Sequence, residues 1–321
     1  MSPPSRGFRR LALVTLLLTF GLIVLGGIVR VSDSGLGCGP GDSGFHGWPL
    51  CNGDVIPGAS IHTAIEYSHR TVASTVGLLA LSLLVLARRR YRDHRGLVRA
   101  STGVFCLVVA EGLLGGATVE ENLDEELVAA HLGLAMVILA LLIYIWRASR
   151  PDVIGAPAPE TGAGFRRFAI VTQVLVLCTI VAGGYMAGTQ KYGRPDYRIG
   201  DGAHHACGRE FPTCNDGFLP FGQSRLVDIH LTHRAFMYLT TIAIVALIVM
   251  TLRRRLGPGL TRTAYALGAI LLVQLLVGAL NVWLEEYEVL ILAHLTLGAL
   301  LWAAATMLTI QLYRVPALAR A

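Results

Sequence analysis

An all-α membrane protein of eight transmembrane helices, arranged as two pseudo-symmetric four-helix bundles, is the fold class this sequence predicts. Three observations predict it. The 321 residues are 54% hydrophobic and only 15% charged, too apolar for an ordinary soluble domain. They contain eight stretches of about 20 mainly apolar residues, the length that crosses a bilayer core. The chain also repeats itself: His69 and His131 recur as His233 and His294, at offsets of 164 and 163 residues.

The first stretch, 11–30, is too long for a signal-peptide core, and no small-residue cleavage pattern follows it. It reads as a retained helix. A loop, 31–60, carries Cys38 and Cys51. Stretches 62–87 and 97–117 flank the basic run Arg88, Arg89, Arg90, Arg92 and Arg95. A short acidic connection (Glu120, Glu121, Asp124, Glu125, Glu126) leads into 128–147. The segment 151–167, with Pro151, Gly155, Pro157, Pro159 and Gly162, has linker composition. It divides an N-terminal half, 1–150, from a C-terminal half, 168–321.

The second half follows the same plan. Stretch 168–188 precedes a loop, 189–227, with Cys207 and Cys214. Stretches 229–252 and 263–283 flank Arg253, Arg254 and Arg255, and the acidic Glu285, Glu286 and Glu288 lead into 289–311. An even number of spans separates equivalent segments, so both halves share one orientation. Cys106 and Cys178 fall inside apolar stretches and read as small packing residues.

Arginines gather on one side of these spans, which makes that side cytoplasmic by the positive-inside rule. Both termini then lie in the cytoplasm of a multi-pass protein of the plasma membrane. The net charge of +6 sits at helix ends facing anionic lipid, so the lipid bilayer accounts for it and no nucleic acid is needed. The cysteine loops face outward, where paired cysteines read as disulfides. Four cysteines allow three pairings, and a zinc site from Cys207, Cys214, His204 and His205 is the competing reading.

Ionisable side chains within spans are costly and mark function. Two histidines per half, on helices running in the same direction, suit a heme iron gripped from both faces inside a bundle. Zinc wants four nitrogen or sulfur ligands together, and copper finds no Met or Cys at matching depth. Further similarity joins Gly26-Gly27 to Gly183-Gly184, and Leu113-Leu114-Gly115-Gly116-Ala117 to Leu275-Leu276-Val277-Gly278-Ala279. Small residues there serve close helix packing.

The halves differ one helical turn before the first histidine. Glu66 precedes His69, whereas His230 precedes His233. Glu66 reads either as half of an ion pair or as an acid/base group that stabilises developing charge. On the second reading the first half does chemistry and the second moves electrons. Arg70 and Arg234 follow the histidines and, with Arg30, could pair with heme propionates or snorkel to the outer headgroups.

Together the motif Glu66-Tyr67-Ser68-His69-Arg70, the helices of His131, His233 and His294, the cysteine pairs in the first and third outer loops, and Trp48-Pro49-Leu50-Cys51 resemble the heme A synthase family. The resemblance spans the chain. It implies stepwise oxidation of a ring methyl of heme O to a formyl group. His69 and His131 would flank the heme O substrate, His233 and His294 would hold a permanent heme b, and Glu66 would be the catalytic carboxylate. It implies two partners: a heme O synthase supplying substrate and the assembly of cytochrome oxidase. Twelve residues separate Cys38 from Cys51, including His46, more than the family resemblance leads one to expect. A diheme electron-transfer cytochrome without ring chemistry is the alternative. A transporter fits less well, because the repeats are parallel and lack matched broken helices.

Overall fold

The structure, a computed structural model, describes residues 4–58, 60–190, 202–284 and 288–315. Glu285 and Glu286 of the last acidic connection lie outside the described residues. Eight long helices succeed one another: α1 (Arg6–Val31), α2 (Ile61–Arg90), α3 (Arg95–Glu120), α4 (Glu125–Ala148), α5 (Ala163–Gly188), α6 (Arg225–Arg253), α7 (Pro258–Trp283) and α8 (Glu288–Gln311). Each contains one of the apolar stretches and extends past it. Arg88, Arg89 and Arg90 complete the last turn of α2, and Arg253 ends α6, where cations complement the helix dipole. Arg166 and Arg167 fall in the first turns of α5 and not in the linker.

Matched caps start matched helices. The Ser60 hydroxyl accepts from the Thr63 N–H at the head of α2, and the Ser224 hydroxyl from the Val227 N–H at the head of α6. At α7 the job falls to a Gly-Pro pair: Gly257 takes φ 103°, open to glycine, and Pro258 opens the helix.

Within the first half, α1 packs on α2, α2 on α3, α3 on α4 and α4 back on α1; the second half repeats this closed order from α5 to α8. The halves meet where α4 touches α5 and where α8 touches α1, which are equivalent contacts under a twofold exchange. The remaining contact, α4 on α8, lies on the axis of that exchange. There the Trp302 indole N–H donates to the Met136 carbonyl at 2.7 Å, satisfying a donor buried between helices. The outer surface is apolar: Leu17, Leu78, Leu113, Ile242 and Leu272 stand more than half exposed. Helices so covered satisfy their own backbone and present hydrocarbon to lipid, making this a multi-pass membrane protein. Cys106 is exposed on this surface instead of packing inside, and Cys178 is half-buried.

Each cysteine-bearing loop is closed by its own disulfide, Cys38–Cys51 and Cys207–Cys214. The bond consumes the thiolates that a zinc site at His204 and His205 would need, and no metal-holding cluster of His, Cys, Asp and Glu occurs among the described residues. After the second cysteine of each loop the chain makes the same turn. Cys51 N–H donates to Asp54 O at 2.9 Å and Cys214 N–H to Gly217 O at 2.8 Å. Asn52 (φ 54°) and Asn215 (φ 47°) take the left-handed position that asparagine tolerates. The first loop, whose disulfide encloses the longer segment, is held over α3 by Asp42 N–H to Glu120 O at 3.1 Å.

Candidate functional site

From the start of each even-numbered helix, His69 and His233 lie eight residues in, and His131 and His294 six residues in. At 1.5 Å per residue these are depths of roughly 12 and 9 Å from the same end of the bundle. The repeat in sequence is therefore a repeat in depth. All four side chains are half-buried. His233 and His294 face each other with ring centres 6.4 Å apart and planes at 73°. Metal–imidazole bonds are about 2 Å long, so two imidazoles on opposite faces of one iron have ring centres roughly 6 Å apart. His69 and His131 lie within electrostatic reach of each other in the first half.

Every histidine rests against a glycine of the preceding helix. A Cβ built on Gly26 would stand 3.2 Å from Cε1 of His69; on Gly115, 3.1 Å from that of His131; on Gly183, 3.0 Å from that of His233; on Gly278, 2.9 Å from that of His294. These glycines are required by close approach to the rings and not by an unusual φ. The adjacent glycine does something else. Gly27 admits Leu292 and Leu295 of α8, and Gly184 admits Ala129 and Leu132 of α4. In the Gly26-Gly27 and Gly183-Gly184 pairs, the first residue seats a histidine and the second seats the other half. Packing explains the second glycine alone. Gly278→Val should force the His294 ring aside; we expect a large loss of any chromophore held there, measured by absorbance of the purified protein, with folding retained by circular dichroism.

The cradle also corrects the register of the repeat. Matching Leu113–Ala117 to Leu275–Ala279 pairs Gly116 with Gly278, but the ring contacts pair Gly115 with Gly278. Gly116 faces the Trp48 indole, 2.8 Å from its added Cβ. In the corrected register Glu111 is equivalent to Gln274. Both face the site: Glu111 Oε1 lies 3.3 Å from His131 Nδ1, and Gln274 Nε2 lies 3.3 Å from His294 Nε2. Sequence reasoning missed both. A carboxylate four residues before a cradle glycine, with an amide at the same place in the other half, was the available signal.

The imidazoles are incompletely satisfied. His233 Nδ1 lies 3.0 Å from the Thr179 carbonyl, but Nδ1 of His69, His131 and His294 is buried with no hydrogen-bond partner. Such atoms cost about 1–3 kcal/mol each when left unmade. Facing rings at 6.4 Å and glycine cradles together fit a planar group ligated through its metal.

Glu66 is 3% exposed and turns to the Cys38–Cys51 loop. It accepts from the Cys38 N–H at 2.7 Å and pairs with Arg70. His230, its counterpart, is equally buried and sets Nδ1 2.7 Å from the Ala203 carbonyl in the second loop. Arg70 donates to the carbonyls of Gly47 (2.7 Å) and Leu50 (2.8 Å). Arg234 donates to those of Glu210 (2.8 Å) and Thr213 (2.6 Å), each 163 residues further on. Arg30 crosses to the other half, donating to Ala187 O at 2.6 Å and to Gln190 O. Thus the three arginines fasten the rim at the loop end of the bundle, above the histidines. Just beyond α1, burial pushes the Asp33 carboxyl above its ordinary value, with Arg30 and His62 opposing that shift. His62 Nδ1 meets the Ser34 hydroxyl at 3.1 Å on the same rim.

Comparison with known proteins agrees with this architecture. The sequence profile of the COX15-CtaA family, described as cytochrome oxidase assembly protein, matches residues 9–306. The heme A synthase of Alkalihalophilus pseudofirmus is 27% identical over 312 residues, covering 95% of this chain and 98% of that protein. The heme A synthase of Halalkalibacterium halodurans is 29% identical over 253 residues, 77% of this chain and 78% of its own. That of Shouchella clausii is 28% identical over 253 residues, 77% of each. With four cradled histidines in a twofold bundle and a profile match over nearly its whole length, this chain belongs to the COX15-CtaA family of cytochrome oxidase assembly proteins.

Proposed function

We propose that this protein is a heme A synthase, a membrane oxidoreductase that converts a ring methyl of heme O into a formyl group in successive steps. The observation that carries the reading is the fourfold histidine–glycine cradle in a chain whose relatives bear that name. The N-terminal half, 1–150, takes heme O between His69 and His131. The C-terminal half, 168–321, holds heme b between His233 and His294. The resident heme supplies one-electron redox chemistry that side chains lack.

The chain's own residues do the rest. The cradle glycines let each imidazole approach from a packed helix wall, fixing its orientation before the porphyrin arrives. Glu66 serves as the carboxylate of the oxidation, at the outer edge of the first half. Arg30, Arg70 and Arg234 set a cationic rim at the level where propionates would emerge, while Arg70 and Arg234 anchor the loops that cover the site. The protein sits in the plasma membrane with both termini cytoplasmic. It takes so apolar a substrate through the bilayer or from a heme O synthase, and its product serves cytochrome oxidase assembly.

Expression in cells that make heme O but not heme A should yield heme A, identified by mass spectrometry of extracted pigments. Purified protein with bound b-type heme, but no heme A in those cells, would favour the diheme carrier.

A further inference from the structure

The corrected register exposes one asymmetry between the two sites that the functional reading does not use. At the position four residues before the cradle glycine, the first half has a carboxylate, Glu111, and the second has an amide, Gln274. Glu111 lies within the apolar span of α3, where a carboxylate is expensive. Among the described ion pairs no arginine or lysine meets it; its one partner there is the His131 ring, Oε1 to Nδ1 at 3.3 Å. Its Oε2 is buried without a hydrogen-bond partner, and so is His131 Nδ1. Two unsatisfied groups thus face each other, just short of hydrogen-bond geometry.

We infer that Glu111 is a positioning residue of the N-terminal site, whose carboxylate accepts the Nδ1–H of His131 and so distinguishes that site from its Gln274-bearing counterpart. A carboxylate that accepts the second ring N–H of a ligating histidine fixes its tautomer and increases its basicity as a ligand. A more basic imidazole favours the ferric over the ferrous iron. The C-terminal site follows another plan: His233 Nδ1 meets a neutral main-chain carbonyl, Thr179 O, and His294 meets the Gln274 amide. The duplicated bundle thereby gives its two irons different electronic surroundings. The iron at His69 and His131 is held toward the oxidised state, the other toward the reduced. This inference rests on the reading that His131 ligates a heme.

A rival acceptor is built into the same helix. The Glu111 main-chain carbonyl also faces His131, in the position Thr179 O occupies for His233. If the carbonyl holds the ring, the Glu111 side chain is dispensable.

The test is a redox titration, followed by visible absorbance, of the full-length protein reconstituted in detergent with iron protoporphyrin IX. Glu111→Gln should raise the midpoint of the N-terminal component only. A tenfold change in ferric-over-ferrous preference is about 59 mV. Glu111→Ala, which removes the side chain and keeps the main-chain carbonyl, should shift the same component; it keeps the test open should Glu111→Gln fail to fold. An unshifted N-terminal component in Glu111→Gln, or in its absence in Glu111→Ala, overturns the inference and leaves the ring to the carbonyl. If the unaltered protein binds no iron porphyrin that depends on His69 and His131, the functional reading itself has failed.

Discussion

His233→Ala and His294→Ala, made singly, are each expected to abolish the low-spin b-type heme spectrum of the purified protein. Removing either imidazole breaks the six-coordinate arrangement that facing rings 6.4 Å apart are built to give. Outer partners of metal-bound histidines already cost roughly ten- to a hundredfold in affinity when removed, so direct ligands should cost more. Retained heme should fall below about a tenth of the unaltered level, measured as pyridine hemochrome per protein. His69→Ala should leave that spectrum in place, because His69 belongs to the other bundle. Substituting the cradle should copy the ligand's loss: Gly183→Val acts on His233 from α5 without altering any group able to bind iron. If both single histidine variants kept the low-spin spectrum, the C-terminal heme site would be wrong.

What the sequence made legible follows from periodicity and cost. Eight spans stand out because a bilayer demands about 20 apolar residues in each. The four histidines stand out because a polar ring in such a span needs a reason. Twofold repetition then places them in two halves without further information. The glycine register does not follow from periodicity. Leu113–Ala117 matches Leu275–Ala279 at four of five positions, and the register set by the histidine contacts, one residue off, keeps only two, so the sequence favours the wrong one and only the contact of Gly115 with His131 fixes it. That single slip concealed the equivalence of Glu111 and Gln274. The arginines illustrate a different limit. Arg70 and Arg234 were legible as cations near the site, but their partners are carbonyls of loops, and a carbonyl leaves no mark in the sequence. Arg30 binding the end of α5 is a contact between halves, set by how the bundles dock.

Glu66→Gln should preserve the C-terminal heme and the fold while stopping product, with heme A lowered at least a hundredfold, the lower end of what a positioned acid or base contributes. The geometry makes this a demanding test, because Glu66 also has a structural task. Its carboxylate is buried, paired with Arg70, and bonded to the backbone of the Cys38 loop. Arg70→Ala would leave that carboxylate without its partner, a change worth about 3–5 kcal/mol for a buried pair, and should lower the unfolding temperature. Removing both, as Glu66→Ala with Arg70→Ala, should restore part of that stability because no unpaired charge remains. A purely structural Glu66 predicts that product yield tracks stability across the three variants. A catalytic Glu66 predicts that product stays lost in Glu66→Gln, whose amide can still accept the Cys38 N–H, and in the partly restabilised double variant. Heme A at unaltered levels in Glu66→Gln would remove the carboxylate from the chemistry and leave it as the clasp that closes the first outer loop over its bundle.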